Sequence, residues 1–195
     1  PAEPLRFGTV EQVGAPEQLI QGRTGRIYVN TRRPVELDAS WNGLPIAFTP
    51  LPNDPLRQYA LLPVPALLAP ASYPVNISYT SGNGLTLNQV WTVDVVEGDY
   101  DRQEINLPPD RGTLLDPAIV QAELEKVVSV WGQTNPELLW TAPFTRPIDI
   151  EYSTTSPFGT RRSYNGGPYS SYHAGQDFGA PAGITVTVPA AGVVA

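Results

Sequence analysis

Apolar and polar residues alternate with period two through most of the first hundred positions, the pattern of strands with one buried face. Val35, Leu37, Ala39 and Trp41 share one side of a run that stops at Asn42-Gly43, and Leu44-Pro45-Ile46-Ala47-Phe48 follows. Asn-Gly between two such runs predicts a two-residue hairpin, because both central positions need φ > 0. Pro45 has no N–H, so it puts the second strand at a sheet edge or delays its start. Val75, Ile77 and Tyr79 are in phase across Tyr73–Thr80, and Ser81-Gly82-Asn83-Gly84 turns the chain into a long run over Leu85–Val96. Further runs at Arg26–Thr31, Gln58–Val64 and Arg102–Leu107 bring the total to about seven strands, with turns spaced as in a sandwich. The expectation is an immunoglobulin-like β-sandwich over residues 1–108.

The period changes after that. Asp116-Pro117 pairs an N-cap side chain with proline at the first helical position. Val120, Leu124, Val127, Val128 and Trp131 then recur at helical spacing, and Gly132 ends the run. This predicts one helix whose apolar stripe packs on its own protein, a connector docked between two modules. Asn135-Pro136, Ala142-Pro143 and Arg146-Pro147 favour extended chain beyond it, so residues 109–150 are expected to be connector helix and linker.

Composition narrows the function classes. The chain has 195 residues, 41% of them hydrophobic, enough to bury a core. Its 22 Pro and 17 Gly favour short strands and turns over helices. Twelve Lys and Arg stand against 19 Asp and Glu, a net charge of −7, and no basic run interleaves with aromatics. Nucleic acid and anionic membrane surfaces are therefore not expected partners. No stretch is apolar over the ~18 residues of a membrane span. With no cysteine, disulfides and thiolate metal sites are both excluded. Trp41, Trp91 and Tyr100 are the aromatics through which the sandwich could stack on sugar, anchoring to glycan or cell wall; they are expected in the core or in turns.

Candidate chemistry begins at Ser156. Ser156-Pro157-Phe158-Gly159-Thr160-Arg161-Arg162 is followed by a loop, Asn165-Gly166-Gly167-Pro168, and then by Tyr172-His173-Ala174-Gly175-Gln176-Asp177, which holds the only histidine. Imidazole and carboxylate are both zinc-ligand types, and catalytic zinc sites normally take three protein ligands and a water. In a straight strand His173 and Asp177 would lie about 13 Å apart, whereas two donors on one zinc approach within about 3–4 Å. Gly175, Gly179 and Pro181 disfavour a helix. A bend at Ala174-Gly175 remains, where glycine permits an unusual φ. The spacing is compatible with chelation, and a solvent-exposed His and Asp on a loop is equally open on these residues alone.

The surrounding pattern resembles the opening of the lysostaphin-type (LytM-like) zinc metalloendopeptidases. The F-G-x-R and H-x-G-x-D elements occur in order from Ser156, followed by Ala180-Pro181-Ala182-Gly183 and then by Val186-Thr187-Val188-Pro189-Ala190-Ala191-Gly192-Val193-Val194. The resemblance implies that residues 151–195 are the first strands of a LytM-like β-sheet catalytic domain, incomplete here, and that Val186–Val194 forms one or two strands with an unpaired edge. It implies that His173 and Asp177 are the first two zinc ligands, and that Arg161 fills the family's arginine, binding substrate or holding the loop. Gly183 and Gly192 would be turn glycines.

In the family an H-x-H motif completes the site, and none follows here. No residue of the chain is therefore assigned a catalytic role, and the chain by itself is expected to bind zinc weakly and to lack peptidase activity. A C-terminal continuation or a second chain is expected to complete the domain. The whole enzyme would be secreted, periplasmic or on a bacterial cell surface, and would cleave peptides of peptidoglycan. The alternative is a non-catalytic member that binds and regulates cell-wall hydrolases.

Overall fold

The computed structural model describes residues 10–14, 18–80, 84–108, 111–112, 116–132 and 139–193. The chain divides into two compact units, Pro1–Tyr100 and Asp101–Ala195.

The first unit is a β-sandwich. Its strands are β1 (Val10–Gly14), β2 (Gln18–Ile20), β3 (Thr24–Thr31), β4 (Asp38–Trp41), β5 (Leu44–Ala47), β6 (Thr49–Leu51), β7 (Asp54–Pro63), β8 (Ala71–Thr80) and β9 (Thr86–Val96). One sheet runs β1-β3-β7-β6 and the other β2-β9-β8-β4-β5. Asn42 and Gly43 take φ of 47° and 77° between β4 and β5, the left-handed pair that the hairpin requires. The strand with Pro45 is at a sheet edge, β5, where its missing donor leaves no ladder bond unmade.

Alternation does what it predicts. Ile27 and Val29 of β3, Ala60 and Leu62 of β7, Val75, Ile77 and Tyr79 of β8, and Val93 and Val95 of β9 all point inward and are buried. Trp41 is the largest fully buried side chain, and its indole Nε1–H donates to Pro63 O at 2.8 Å, so its one polar group is satisfied inside the core. Trp91 packs against the same core, and the Tyr100 hydroxyl donates to Gln21 O at 2.6 Å.

The second unit contains β10 (Arg102–Ile105), the helix α1 (Pro117–Trp131), β11 (Thr154–Ser156), β12 (Arg161–Tyr164), β13 (Ser171–Tyr172) and β14 (Asp177–Phe178). Three expectations fail here. The strand assigned to the sandwich at Arg102–Leu107 forms as β10, but it pairs in parallel with β12, Arg102 opposite Arg161 and Ile105 opposite Tyr164. Its partner lies nearly sixty residues downstream, and a period-two pattern carries no information about which strand completes it.

Helix α1 forms where its local signals place it: Asp116 Oδ1 accepts from Ala118 N–H at 2.8 Å, and Pro117 follows. Yet no residue of the helix is buried, and Val120, Leu124, Val127, Val128 and Trp131 are all exposed. Asp116 and Pro117 place the start of the helix, and the stripe marks an apolar face without specifying what covers it.

Val186–Val194 forms no strand among its described residues. Thr145 N–H donates to Pro189 O and Thr187 N–H to Pro147 O, both at 2.8 Å, in antiparallel register. Each pair lacks its reciprocal bond because Pro189 and Pro147 carry no N–H. Pro189 thus halves the ladder that the valines of Val186–Val194 would otherwise build. No helix among the described residues is long and apolar enough to cross a membrane.

Candidate metal centre

The β12–β13 and β11–β14 pairings are two arms of one bent hairpin. The near arm pairs Arg162 with Ser171 and Arg161 with Tyr172. The far arm pairs Ser156 with Asp177 and Thr154 with Phe178. The register of the near arm resumes at Ser156–Asp177, so one ribbon runs through both arms with a corner between them. Asn165 and Gly166, with φ of 53° and 74°, turn the chain after β12, and Gly167 N–H closes that turn on Tyr164 O at 3.0 Å. The near arm belongs to the β10-β12-β13 sheet and the far arm to the β11-β14 sheet.

His173 is the last residue of the near arm and Asp177 the first of the far arm. The corner closes the distance that a straight strand would leave, and His173 Nε2 lies 3.2 Å from Asp177 Oδ1. The chain bends at Gly175, but without the left-handed φ that the sequence suggested. A Cβ there would meet His173 Cε1 at an ordinary 3.8 Å, so the bend itself does not demand glycine.

The demanding glycine is Gly159. It takes φ of 89° at the third position of the turn Pro157-Phe158-Gly159-Thr160, where a type II turn places glycine. Gly159 N–H donates to His173 O, and His173 N–H donates to Thr160 O, both at 2.9 Å. Two residues therefore oppose one, with a left-handed glycine first, which is the bulge that re-aims a side chain beside a site. Thr160 Oγ1 closes the turn on Pro157 O at 3.0 Å, and the Phe158 ring packs edge-on against Tyr172, centroids 5.9 Å apart. A second register shift lies between Thr154 and Ser156, next to Asp177. Each candidate ligand thus sits beside a bulge. The sequence offered the signal for the first, a glycine two residues after proline, although F-G-x-R suggested no role for it.

The pair has the geometry of two donors rather than of a bonded couple. The His173 side chain is 12% exposed and that of Asp177 58%. Nε2 is buried and has no hydrogen-bond partner among the described residues. The 3.2 Å approach is within ion-pair distance but lacks hydrogen-bond geometry, and the missing bond is the more informative fact. A buried, unsatisfied ring nitrogen costs about 1–3 kcal/mol, and a cation ligated by both atoms would relieve it. Two donors at about 2.0–2.2 Å from a tetrahedral zinc stand about 3.3–3.6 Å apart, near the 3.2 Å found. The residues therefore fit zinc as two of its ligands. No group of three or more His, Cys, Asp or Glu that could hold a metal occurs among the described residues.

Arg161 lies on β12 directly opposite Tyr172, half-buried, with its backbone N–H donating to Asp101 O at 2.8 Å. Arg162 beside it reaches Gln103 Oε1 and Ser156 Oγ, both at 3.3 Å, tying β12 to β10 and β11. Gly183 takes φ of 91° in a turn, and Gly192 lies outside any turn. A cavity of about 480 Å³ in this unit is lined by Arg146, Asp149, Glu151, Tyr152 and Thr187 among others. Neither His173 nor Asp177 lines it. The Tyr152 phenol is held above its ordinary range by its hydrogen bond with Glu151, and then by desolvation and the Asp149 charge.

No family model and no curated relative matches the sequence. Among solved structures the chain is similar to a candidate M23 peptidase from Pseudomonas aeruginosa, at 20% identity and a TM-score of 0.53. The match covers 88% of this chain and 59% of that one, so the chain spans less than two thirds of that protein's length. The shared feature is the fold, mainly β and M23-like. The chain is also similar to CopC from Methylosinus trichosporium OB3b, at 15% identity and a TM-score of 0.33, over 47% of this chain and 95% of that one.

Proposed function

We propose that this chain carries the first two ligands of a zinc metalloendopeptidase that acts outside the cytoplasm on the peptides of bacterial peptidoglycan. The observation that carries the proposal is the buried, unbonded His173 Nε2 at 3.2 Å from Asp177 Oδ1, in a bent hairpin whose bulge fixes the His173 backbone. The M23-like fold supports it, as does the order of the F-G-x-R and H-x-G-x-D elements.

His173 and Asp177 would hold the metal from one side, and a third ligand would come from residues other than those described. Zinc in such a site lowers the pKa of its bound water to about 7 and polarises the scissile carbonyl. The tasks of this chain's own residues are narrower. The Gly159 bulge holds the His173 backbone, so the imidazole enters the site with few conformations left to lose. The half-exposed Asp177 carboxylate leaves one side of the pair open. Arg161, on the strand paired with β13, is proposed to hold the loop or a substrate carboxylate, for which the guanidinium fork is suited.

With two donors the site is half-built, so calorimetric zinc titration of this chain is expected to give a Kd weaker than micromolar. A micromolar or tighter Kd would show that two donors suffice and would overturn the half-site. For a longer protein that contains this segment, the expectation is release of new amino termini from purified peptidoglycan, abolished by His173→Ala. Unchanged release in that variant would remove the peptidase assignment.

A further inference from the structure

The outer face of the β1-β3-β7-β6 sheet carries a feature unrelated to the His173 corner. Alternation on β3 buries Ile27 and Val29 and turns Arg26 and Tyr28 outward, and on β7 it turns Arg57 and Tyr59 outward. Tyr28 stands directly opposite Tyr59, Asn30 opposite Arg57 and Arg26 opposite Leu61. The Tyr28 ring therefore has one arginine to either side along the sheet. Both guanidinium groups stack on it, Arg26 Cζ at 4.7 Å and Arg57 Cζ at 4.8 Å from the ring centroid.

Neither Arg26 nor Arg57 forms an ion pair with a carboxylate among the described residues. Asp54, the acid on β7, accepts from its own chain at Leu56 N–H, Asp38 and Asp94 lie on the second sheet, and Glu11 is on β1, beside β3. Two like charges share one ring, an arrangement that an incoming anion would relieve.

Beside this ring is a cavity of about 590 Å³ at the β2–β3 corner. Arg23, Arg26 and Tyr28 line it, with Gln18 and Thr24 as further polar groups and Leu19 and Ile20 as apolar ones. No carboxylate lines it among the described residues. We infer that this cavity is an anion-binding site, in which Arg23 and Arg26 take an oxyanion, carboxylate or phosphate, whose apolar remainder rests on Leu19 and Ile20. It would give the sandwich a hold on an acidic ligand independent of the metal pair.

The test is an ¹⁵N NMR titration of the whole chain with inorganic phosphate and, separately, with N-acetyl-alanine, each against sodium chloride at equal ionic strength. Saturable shifts confined to the amides of Arg23, Gly25, Arg26 and Tyr28 are expected from at least one oxyanion. The tighter of the two identifies the ligand as phosphate- or carboxylate-bearing. An Arg23→Gln/Arg26→Gln variant should weaken binding at least about tenfold, the loss of one charge-assisted bond or more, with the Trp41 indole resonance in place to show an intact core. Arg26→Lys, which keeps the charge and loses the planar fork, should weaken it less and serves if the double variant does not fold. Shifts equal to those from chloride, or an affinity that neither variant changes, would overturn the site.

Discussion

The two units are held together by different physics. Every buried apolar side chain among the described residues belongs to the first unit, from Leu19 to Val95. In the second unit the described buried residues are Gly159, Thr160 and Ser163, none of them a large apolar group. The sandwich is specified by burial, and each strand's register follows from which residues must face inward. The second unit is specified by backbone bonds, by turns at Pro157–Thr160 and Asn165-Gly166, and by two bulges. A small core-poor unit is marginal by itself, and its apolar residues Ile150, Val186 and Val188 face solvent. The candidate metal pair thus lies in the half of the molecule where one hydrogen bond or one φ angle counts for most.

That contrast is open to test by substitution. Trp41→Ala should cost the sandwich about 3–5 kcal/mol, measured as a lowered urea midpoint of tryptophan fluorescence; a loss below about 1 kcal/mol would mean that burial does not hold this unit. Gly159→Val should cost about 1–3 kcal/mol of local stability, because φ of 89° is strained for a β-branched residue. Hydrogen exchange at the His173 amide, which donates to Thr160 O, would report it. Gly159→Asn, which tolerates left-handed φ, should keep most of the protection, and equal loss in both variants would dissociate the bulge from the φ requirement. Val186→Ala should stay within about 0.5 kcal/mol because the side chain is 72% exposed; a larger loss would reveal burial that the second unit does not display.

The same division decides what was legible in the sequence. The Asn42-Gly43 hairpin and the inward faces of β3, β7, β8 and β9 could be read because turn chemistry and alternation are local. Helix α1 could be read from Asp116 and Pro117, while its lack of docking could not, because a stripe says that a face is apolar and not that something covers it. The pairing of β10 with β12 depends on a strand far along the chain, and no local property of Arg102–Leu107 announces it. At Val186–Val194 the valines argued for a strand and outweighed Pro189, whose missing donor, with that of Pro147, decided the outcome. His173, Asp177 and Arg161 were named as candidates from the spacing of a motif. The Gly159 bulge was missed because its role appears only when Gly159 and His173 are seen across the same ladder.

The bent hairpin also bears on when the metal pair comes into being. All of its pairings fall between Thr154 and Phe178, so closing them spends little chain entropy, and the turn at Asn165-Gly166 lies inside the loop to be closed. Hairpins of this kind form in about 1–10 μs, well ahead of topologies built from distant strands. His173 and Asp177 would therefore meet early, before β10 arrives to pair with β12, and a metal ion could find a two-toothed chelate on a chain still completing its fold.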